Sequence, residues 1–224
     1  MLPCAEGAIA SRAARKSRPR SVSSPEIRRA VAGEAERLAD SLARAFTDDP
    51  GFAHLLLDSA DRTERLRVFF ETELREIALP RGLVWTTEEV IGAAVWAEPG
   101  QWRVPVGTTL RELRPMTRVF GGRLPIALWS RLRMDARHPR RPAHWYLAMM
   151  GVVPEWQGRG LGSALMRPGL EEIDAARLPA YLETSTLRAR ALYERNGFAV
   201  TGELNLPAGG PPIWLMWREA QRAG

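Results

Sequence analysis

The stretch Tyr146-Leu147-Ala148-Met149-Met150-Gly151-Val152-Val153-Pro154-Glu155-Trp156-Gln157-Gly158-Arg159-Gly160-Leu161-Gly162-Ser163 decides how this chain folds. Its first eight residues are an almost unbroken apolar run of strand length, closed by Pro154. Leu161, Ala164 and Leu165 then recur at helical spacing. Between strand and helix, Gln157–Gly162 holds three glycines and no acidic residue. Glycine lets backbone come close to a ligand, and the free N–H groups at a helix N-terminus donate readily to phosphate oxygens. The loop therefore reads as a cradle for a pyrophosphate.

Several cofactors carry a pyrophosphate, and spacing separates them. A dinucleotide fingerprint needs Gly-x-Gly-x-x-Gly soon after a strand and an acidic residue about 20 positions later. This loop has a different spacing and comes late in the chain. A nucleotide P-loop needs Gly-x-x-x-x-Gly-Lys followed by Ser or Thr, which is absent as well.

Working outward, a short strand near Glu26–Val31 leads into a helix near Gly33–Thr47, which Asp48-Asp49-Pro50-Gly51 breaks. A second helix covers about Ala60–Leu79, and strands follow at Gly82–Thr86 and Val90–Ala97. Residues 101–140 read as helix interrupted by Gly121-Gly122 and Pro125, ending in the basic connector Arg137–Arg141. After the central strand and helix come a strand at Ala180–Thr184, a helix near Leu187–Arg195, and strands near Phe198–Leu204 and Ile213–Arg218. This order predicts an α/β chain with a mixed, partly parallel sheet flanked by helices, in a single domain over residues 25–224. Residues 1–24 lack apolar periodicity and are expected to form a disordered basic extension.

Composition narrows the function classes. Of the net charge of +6, residues 1–24 carry +4, with five basic residues against Glu6, so the rest of the chain is nearly balanced. That is not the footprint of a nucleic-acid reader. No run reaches the ~18 apolar residues of a membrane span, and no apolar signal region opens the chain, so the expectation is a soluble, cytoplasmic protein with no membrane partner. Cys4 is the single cysteine, which leaves no disulfide framework and no cysteine-based metal site; no metal is expected.

Gln157, Gly160 and Gly162 resemble the acyl-CoA loop of the GNAT superfamily of N-acetyltransferases, Gln/Arg-x-x-Gly-x-Gly/Ala. The likeness extends from Leu147 to Phe198, through Val152-Val153-Pro154 and the closing Leu192-Tyr193-Glu194-Arg195-Asn196-Gly197-Phe198. Within the superfamily the closer resemblance is to puromycin N-acetyltransferase-like members. It is carried by Trp145 three residues after an Arg-Pro pair, by Arg167-Pro168-Gly169 inside a helix, and by Leu182-Glu183-Thr184-Ser185. Pro-Gly inside a helix costs about 3 and about 1 kcal/mol in propensity, so sharing it is more telling than sharing a leucine.

The resemblance implies the GNAT fold, in which two parallel strands splay apart around the cofactor arm. It implies acetyl-CoA as cofactor, with CoA as product, held by Met150, Gly151 and Val152 along the first strand and by Gln157, Gly158, Arg159, Gly160, Leu161, Gly162 and Ser163 at the pyrophosphate. The Val152 N–H would face the oxyanion. Tyr193 takes the family's general-acid position, and a phenol of ordinary pKa near 10 is protonated at neutral pH. Glu183, at the end of the second splayed strand, is the candidate base, directly or through water, or the ligand of the substrate ammonium. Asp48 and Asp49 are alternative acidic contacts for the amine. Trp96 and Trp145, with Trp85, are expected as aromatic walls of the acceptor pocket. Many relatives carry Asn where this chain has Thr186, so that contact to the cofactor arm is not carried over.

The expected activity is N-acetylation of a small-molecule primary amine, an aminonucleoside or other antibiotic-like amine among the candidates. A non-catalytic acyl-CoA sensor and a protein N-acetyltransferase stay as alternatives, and monomer or homodimer is left open.

Overall fold

The computed structural model describes residues 25–58, 60–81, 83–103 and 106–221, with backbone alone for 106–112. The expected N-terminal extension lies outside the described residues. Seven strands form one sheet: β1 (Ile27–Arg29), β2 (Val84–Thr87), β3 (Gly92–Ala97), β4 (Trp145–Val152), β5 (Ala180–Thr184), β6 (Ala199–Asn205) and β7 (Pro212–Arg218), in the spatial order β1-β2-β3-β4-β5-β7-β6. All neighbouring pairs are antiparallel except β4 and β5. A parallel pair needs a crossover, and α7 (Leu161–Ala175) supplies it.

Helices α1 (Ala35–Phe46), α2 (Pro50–Leu55), α3 (Arg62–Glu73), α4 (Leu79–Arg81), α5 (Val106–Phe120), α6 (Leu124–Arg137) and α8 (Leu187–Arg195) complete the chain. The stripe of α1 places Leu38, Ala39, Leu42 and Ala43 in a core that also contains Leu66, Phe70, Leu74, Val95 and Phe120. A second core holds Trp96, Trp145, Leu165, Met166, Ile173 and Tyr193. Gly169 lets α7 approach the sheet there, since a Cβ on it would meet Trp96 Nε1 at 2.3 Å.

Two local features differ from the sequence expectation. Asp48–Gly51 does not simply end α1: Asp49 accepts from the Phe52 N–H at 3.1 Å and caps α2, whose first residue is Pro50. Proline suits that place because its missing N–H would have had no helical partner. The single helix expected at Ala60–Leu79 contains a π-helical turn, Leu74–Ala78, directly after Glu73.

One topological detail positions the site. β4 and β5 pair only at Trp145↔Ala180 and Tyr146↔Tyr181. Beyond those two positions the strands diverge, and the rest of β4 keeps only its pairing with β3. The divergence opens a cleft at the C-terminal ends of the parallel strands, where ligands of open α/β sheets bind.

Candidate active site

A cleft of about 1600 Å³ runs from the glycine loop, past the divergent strands, to the underside of α5 and α6. Met150, Gly151, Val152, Gln157, Gly158, Gly160, Gly162 and Ser163 line it, as do Tyr193 and Glu183.

At the loop end, Gly158 and Gly160 have φ of 78° and 83°, a region that costs other residues steric strain. Gly160 is the N-cap of α7 and contributes no side-chain cap, so among the described residues no side chain accepts from the first-turn amides of that helix. Gly162 leaves room for α8, because a Cβ there would meet Leu192 Cδ2 at 2.9 Å. Gly151 answers to packing as well, since a Cβ would lie 2.9 Å from Ala45 Cβ and 3.0 Å from Phe46 Cε2. Gln157 is a clamp: its Nε2 donates to Val152 O at 2.8 Å and its Oε1 accepts from Arg188 Nη1 at 2.6 Å. Leu161 turns its side chain into the second core, leaving only its backbone to the loop.

The two arginines near this end differ from the sequence expectation. Arg159 lies over the Trp156 ring at 5.1 Å and does not line the cleft. Arg188, which sequence reasoning missed, does line it. Thr186 is occupied as the N-cap of α8, accepting from the Ala189 N–H at 3.1 Å.

In the middle of the cleft stands Tyr193, 5% exposed. Among the described residues no hydrogen bond uses its hydroxyl, which leaves that group free to donate into the cleft. Burial first, and then the nearby Asp49 carboxylate, push its pKa well above that of an ordinary phenol. Asp49 itself is pushed up by burial, opposed by hydrogen bonds from the Ser185 hydroxyl and the Phe52 N–H. Asp48 is exposed at the cleft edge and does not join this group.

Glu183 sits at the far side, its side chain 10% exposed and its Oε1 3.8 Å from His138 Nδ1. Tyr146 and Tyr181 have phenols raised first by burial and then by the Glu183 charge. Glu73 also lines this end, its carboxyl raised by burial with Arg131 as the offsetting charge. His138 and Glu73 had no sequence signal, and Tyr146 and Ser185 lie in stretches read for strand and family likeness with no role of their own; the four come from separate segments.

Trp96 and Trp145 are placed differently from expectation. They are 2% and 7% exposed, packed in the second core, and neither lines the cleft. Every residue of β3 is buried, so its apolar character is continuous and carries no record of which face meets the cleft. Trp85 joins the same core and lies under Arg29 at 4.3 Å. The apolar lining of the cleft at this end comes instead from Phe52, Phe69, Trp102, Met116, Phe120 and Leu124.

Comparison with known proteins agrees with this geometry. Residues 129–200 match the family model of the acetyltransferase (GNAT) domain. The chain is 28% identical over 210 residues to an uncharacterised N-acetyltransferase of Schizosaccharomyces pombe, covering 87% of this chain and 83% of the relative. It is 43% identical over 169 residues to a mycothiol acetyltransferase of Beutenbergia cavernae, covering 69% of this chain and 52% of that protein, about half its length. Among solved structures, "histone acetyltransferase HPA2 and related acetyltransferase" from Corynebacterium glutamicum superposes with a TM-score of 0.68 at 25% identity, covering 89% of this chain and 98% of that one. The chain therefore carries a GNAT acetyltransferase domain on a mixed seven-stranded sheet. By class it is an N-acetyltransferase. Among the described residues no helix is long and apolar enough to cross a membrane.

Proposed function

We propose that the chain transfers the acetyl group of acetyl-CoA to the primary amine of a small molecule by direct attack, in the cytoplasm. The observation that carries the reading is the free Tyr193 hydroxyl, set in one continuous cleft lined by the uncapped glycine loop and by the carboxylates of Asp49, Glu73 and Glu183. The loop fits a pyrophosphate: two glycines of positive φ precede a helix whose first amides have no side-chain cap, and Arg188 stands alongside. The diverging edge of β4, from Met150 to Val152, would hold the pantetheine arm, and the Val152 N–H is the candidate oxyanion donor.

Bound there, acetyl-CoA supplies an activated acetyl thioester. The protein must then provide a neutral amine, and Glu183 is the group assigned to take the ammonium proton. Asp49 and Glu73 supply further negative charge to hold a cationic acceptor. Tyr193, with its pKa raised, stays protonated across the working pH range, so its hydroxyl donates to the departing sulfur rather than competing for the amine proton. Helices α5 and α6 roof the acceptor end through Met116, Phe120, Leu124 and Ala127, which favours a small acceptor over an extended polypeptide. The Pro168-Gly169 pair and Leu182–Ser185 support kinship with puromycin N-acetyltransferase-like enzymes, and an aminonucleoside belongs in the first acceptor panel.

The test is release of free CoA from acetyl-CoA in the presence of small amines, aminonucleosides and peptides. Turnover with small amines is expected; turnover with peptides alone would move the assignment to a protein N-acetyltransferase, and CoA binding without turnover would leave a sensor. Tyr193→Phe is expected to lower kcat by about 10²–10⁴-fold, the usual range for losing a positioned proton donor, with CoA affinity nearly unchanged. An unchanged kcat removes Tyr193 from this role.

A further inference from the structure

His138 ends α6, its backbone N–H bonded to Met134 O at 2.9 Å, and its side chain is only 3% exposed. The ring stacks on Trp102 at 3.8 Å with an interplanar angle of 19° and meets Tyr146 and Tyr181 edge-on at 4.9 and 4.7 Å. Its Nε2 is 3.0 Å from His144 Nε2, while His144 Nδ1 is 2.8 Å from Pro142 O.

These contacts determine where the protons lie. A carbonyl only accepts, so His144 Nδ1 carries the hydrogen and donates to Pro142 O. With that hydrogen in place, the Nε2 of neutral His144 is an acceptor, and His138 Nε2–H donates to it. The lone pair of neutral His138 is then on Nδ1, the atom that faces Glu183 Oε1 at 3.8 Å. His144 itself is held neutral, because burial, the largest effect, lowers its pKa. No three His, Cys, Asp or Glu side chains among the described residues converge as metal ligands.

We propose that Glu183 and His138 share one proton and act as a single base, with His144 locking the tautomer that aims His138 Nδ1 at the carboxylate. This rests on the assignment of Glu183 to the amine. The acceptor's ammonium proton passes to a Glu183 oxygen, directly or through water, and crosses from there to His138 Nδ1 by way of a bridging water, since the two atoms stand 3.8 Å apart. Glu183 is left as a carboxylate beside an imidazolium, and the amine nitrogen is left with the lone pair that attacks. A lone charge this buried is costly, whereas an imidazolium–carboxylate pair is compensated.

The other groups around the pair do not compete for the proton. The phenols of Tyr181 on β5 and Tyr146 on β4 are raised by burial and by Glu183, so they remain donors. Arg131 on α6 acts on Tyr146 and is ion-paired with Asp135 at 3.3 Å. His144, from the loop before β4, has its Nδ1 tied to Pro142. His138 is thus a positioning and proton-sharing residue that acts through Glu183.

The chain has three histidines, His54, His138 and His144, so each imidazole can be followed by NMR in the ligand-free protein. Glu183→Gln should move the side-chain nitrogen resonances of His138, which report its tautomer, and leave those of His54 in place; an unmoved His138 overturns the proposal. In turnover, His138→Asn should shift the acidic limb of the kcat/KM profile by a unit or more while CoA affinity stays within about twofold. His138→Gln, a second replacement of different length, should do the same. A wild-type profile in both folded variants refutes the shared base. If the wild-type protein turns over no amine, the functional assignment fails, while the NMR coupling is still decided on its own.

Discussion

Gly169→Ala adds one methyl group, and its consequence can be worked from distances. In the middle of α7 alanine is the better helix former by about 1 kcal/mol, so propensity alone predicts stabilisation. Packing opposes it. The new Cβ would stand 2.3 Å from Trp96 Nε1 and 2.7 Å from Cδ1 and Cε2, and Trp96 is 2% exposed with no space to retreat into. Ordinary contacts begin near 3.5 Å, so helix or ring must move by about 1 Å, and crowding a packed core costs about 1–3 kcal/mol. Contacts this short put the cost at the upper end, giving a net loss of about 2 kcal/mol after the helical gain. For a chain of this size that is a fall of about 4–8 °C in Tm. Urea unfolding followed by far-UV circular dichroism is the suitable assay, since fluorescence would mix the response of Trp96 with that of seven other tryptophans. Trp96→Phe removes the five-membered ring that the methyl meets, so the double variant should be less destabilised than the sum of the singles by about 1 kcal/mol or more. A midpoint for Gly169→Ala equal to or above wild type, or strict additivity with Trp96→Phe, would refute the reasoning.

Two further outcomes are expected. Arg188→Ala should weaken CoA binding about 10–100-fold, the scale of a charge-assisted hydrogen bond, whereas Arg159→Ala should change it less than threefold; calorimetric titration with CoA decides, and the reverse order sinks the placement of Arg188 beside the pyrophosphate. Glu34 accepts from Arg28 at 2.7 and 2.9 Å and from the Val31 N–H, and the Arg28 bond, larger than the opposing burial, holds its pKa down to about 2 from 4.5. A lowered carboxylate contributes stability above its unfolded pKa and loses it as pH falls through the folded one, so the Tm gap between wild type and Glu34→Gln should be full above pH 4.5 and close towards pH 2. A gap independent of pH would show that the pair does not set acid stability.

Much of the fold is legible in local sequence. Ala180–Thr184 and Leu187–Arg195 coincide with β5 and α8, because alternation, a threonine cap and a terminal glycine act within a few residues. Helix α2 was hidden because Pro50-Gly51 resembles a break, and the Asp49 cap that makes Pro50 a helix start is a matter of backbone geometry. The π-helical turn after Glu73 has no pattern of its own, since it reflects how α3 meets the sheet. The core placement of Trp96 has a related reason. Trp96 lies on a strand buried throughout, where no alternation records a face, and its packing against Gly169 of α7 is visible only in the structure.

By itself, the order of residues from Tyr146 to Phe198 determined a strand, a glycine loop, a helix and a tyrosine in that succession. These are local signals, carried by glycine's freedom, proline's constraint and the period of apolar residues. Tertiary structure alone decided which arginine meets the loop, that Asp49 and Ser185 converge beside Tyr193, and that His138 faces Glu183 across 3.8 Å. Those contacts join residues far apart in the chain, and no periodicity records them, because they exist only once β4 and β5 diverge and α6 packs its end against the opening.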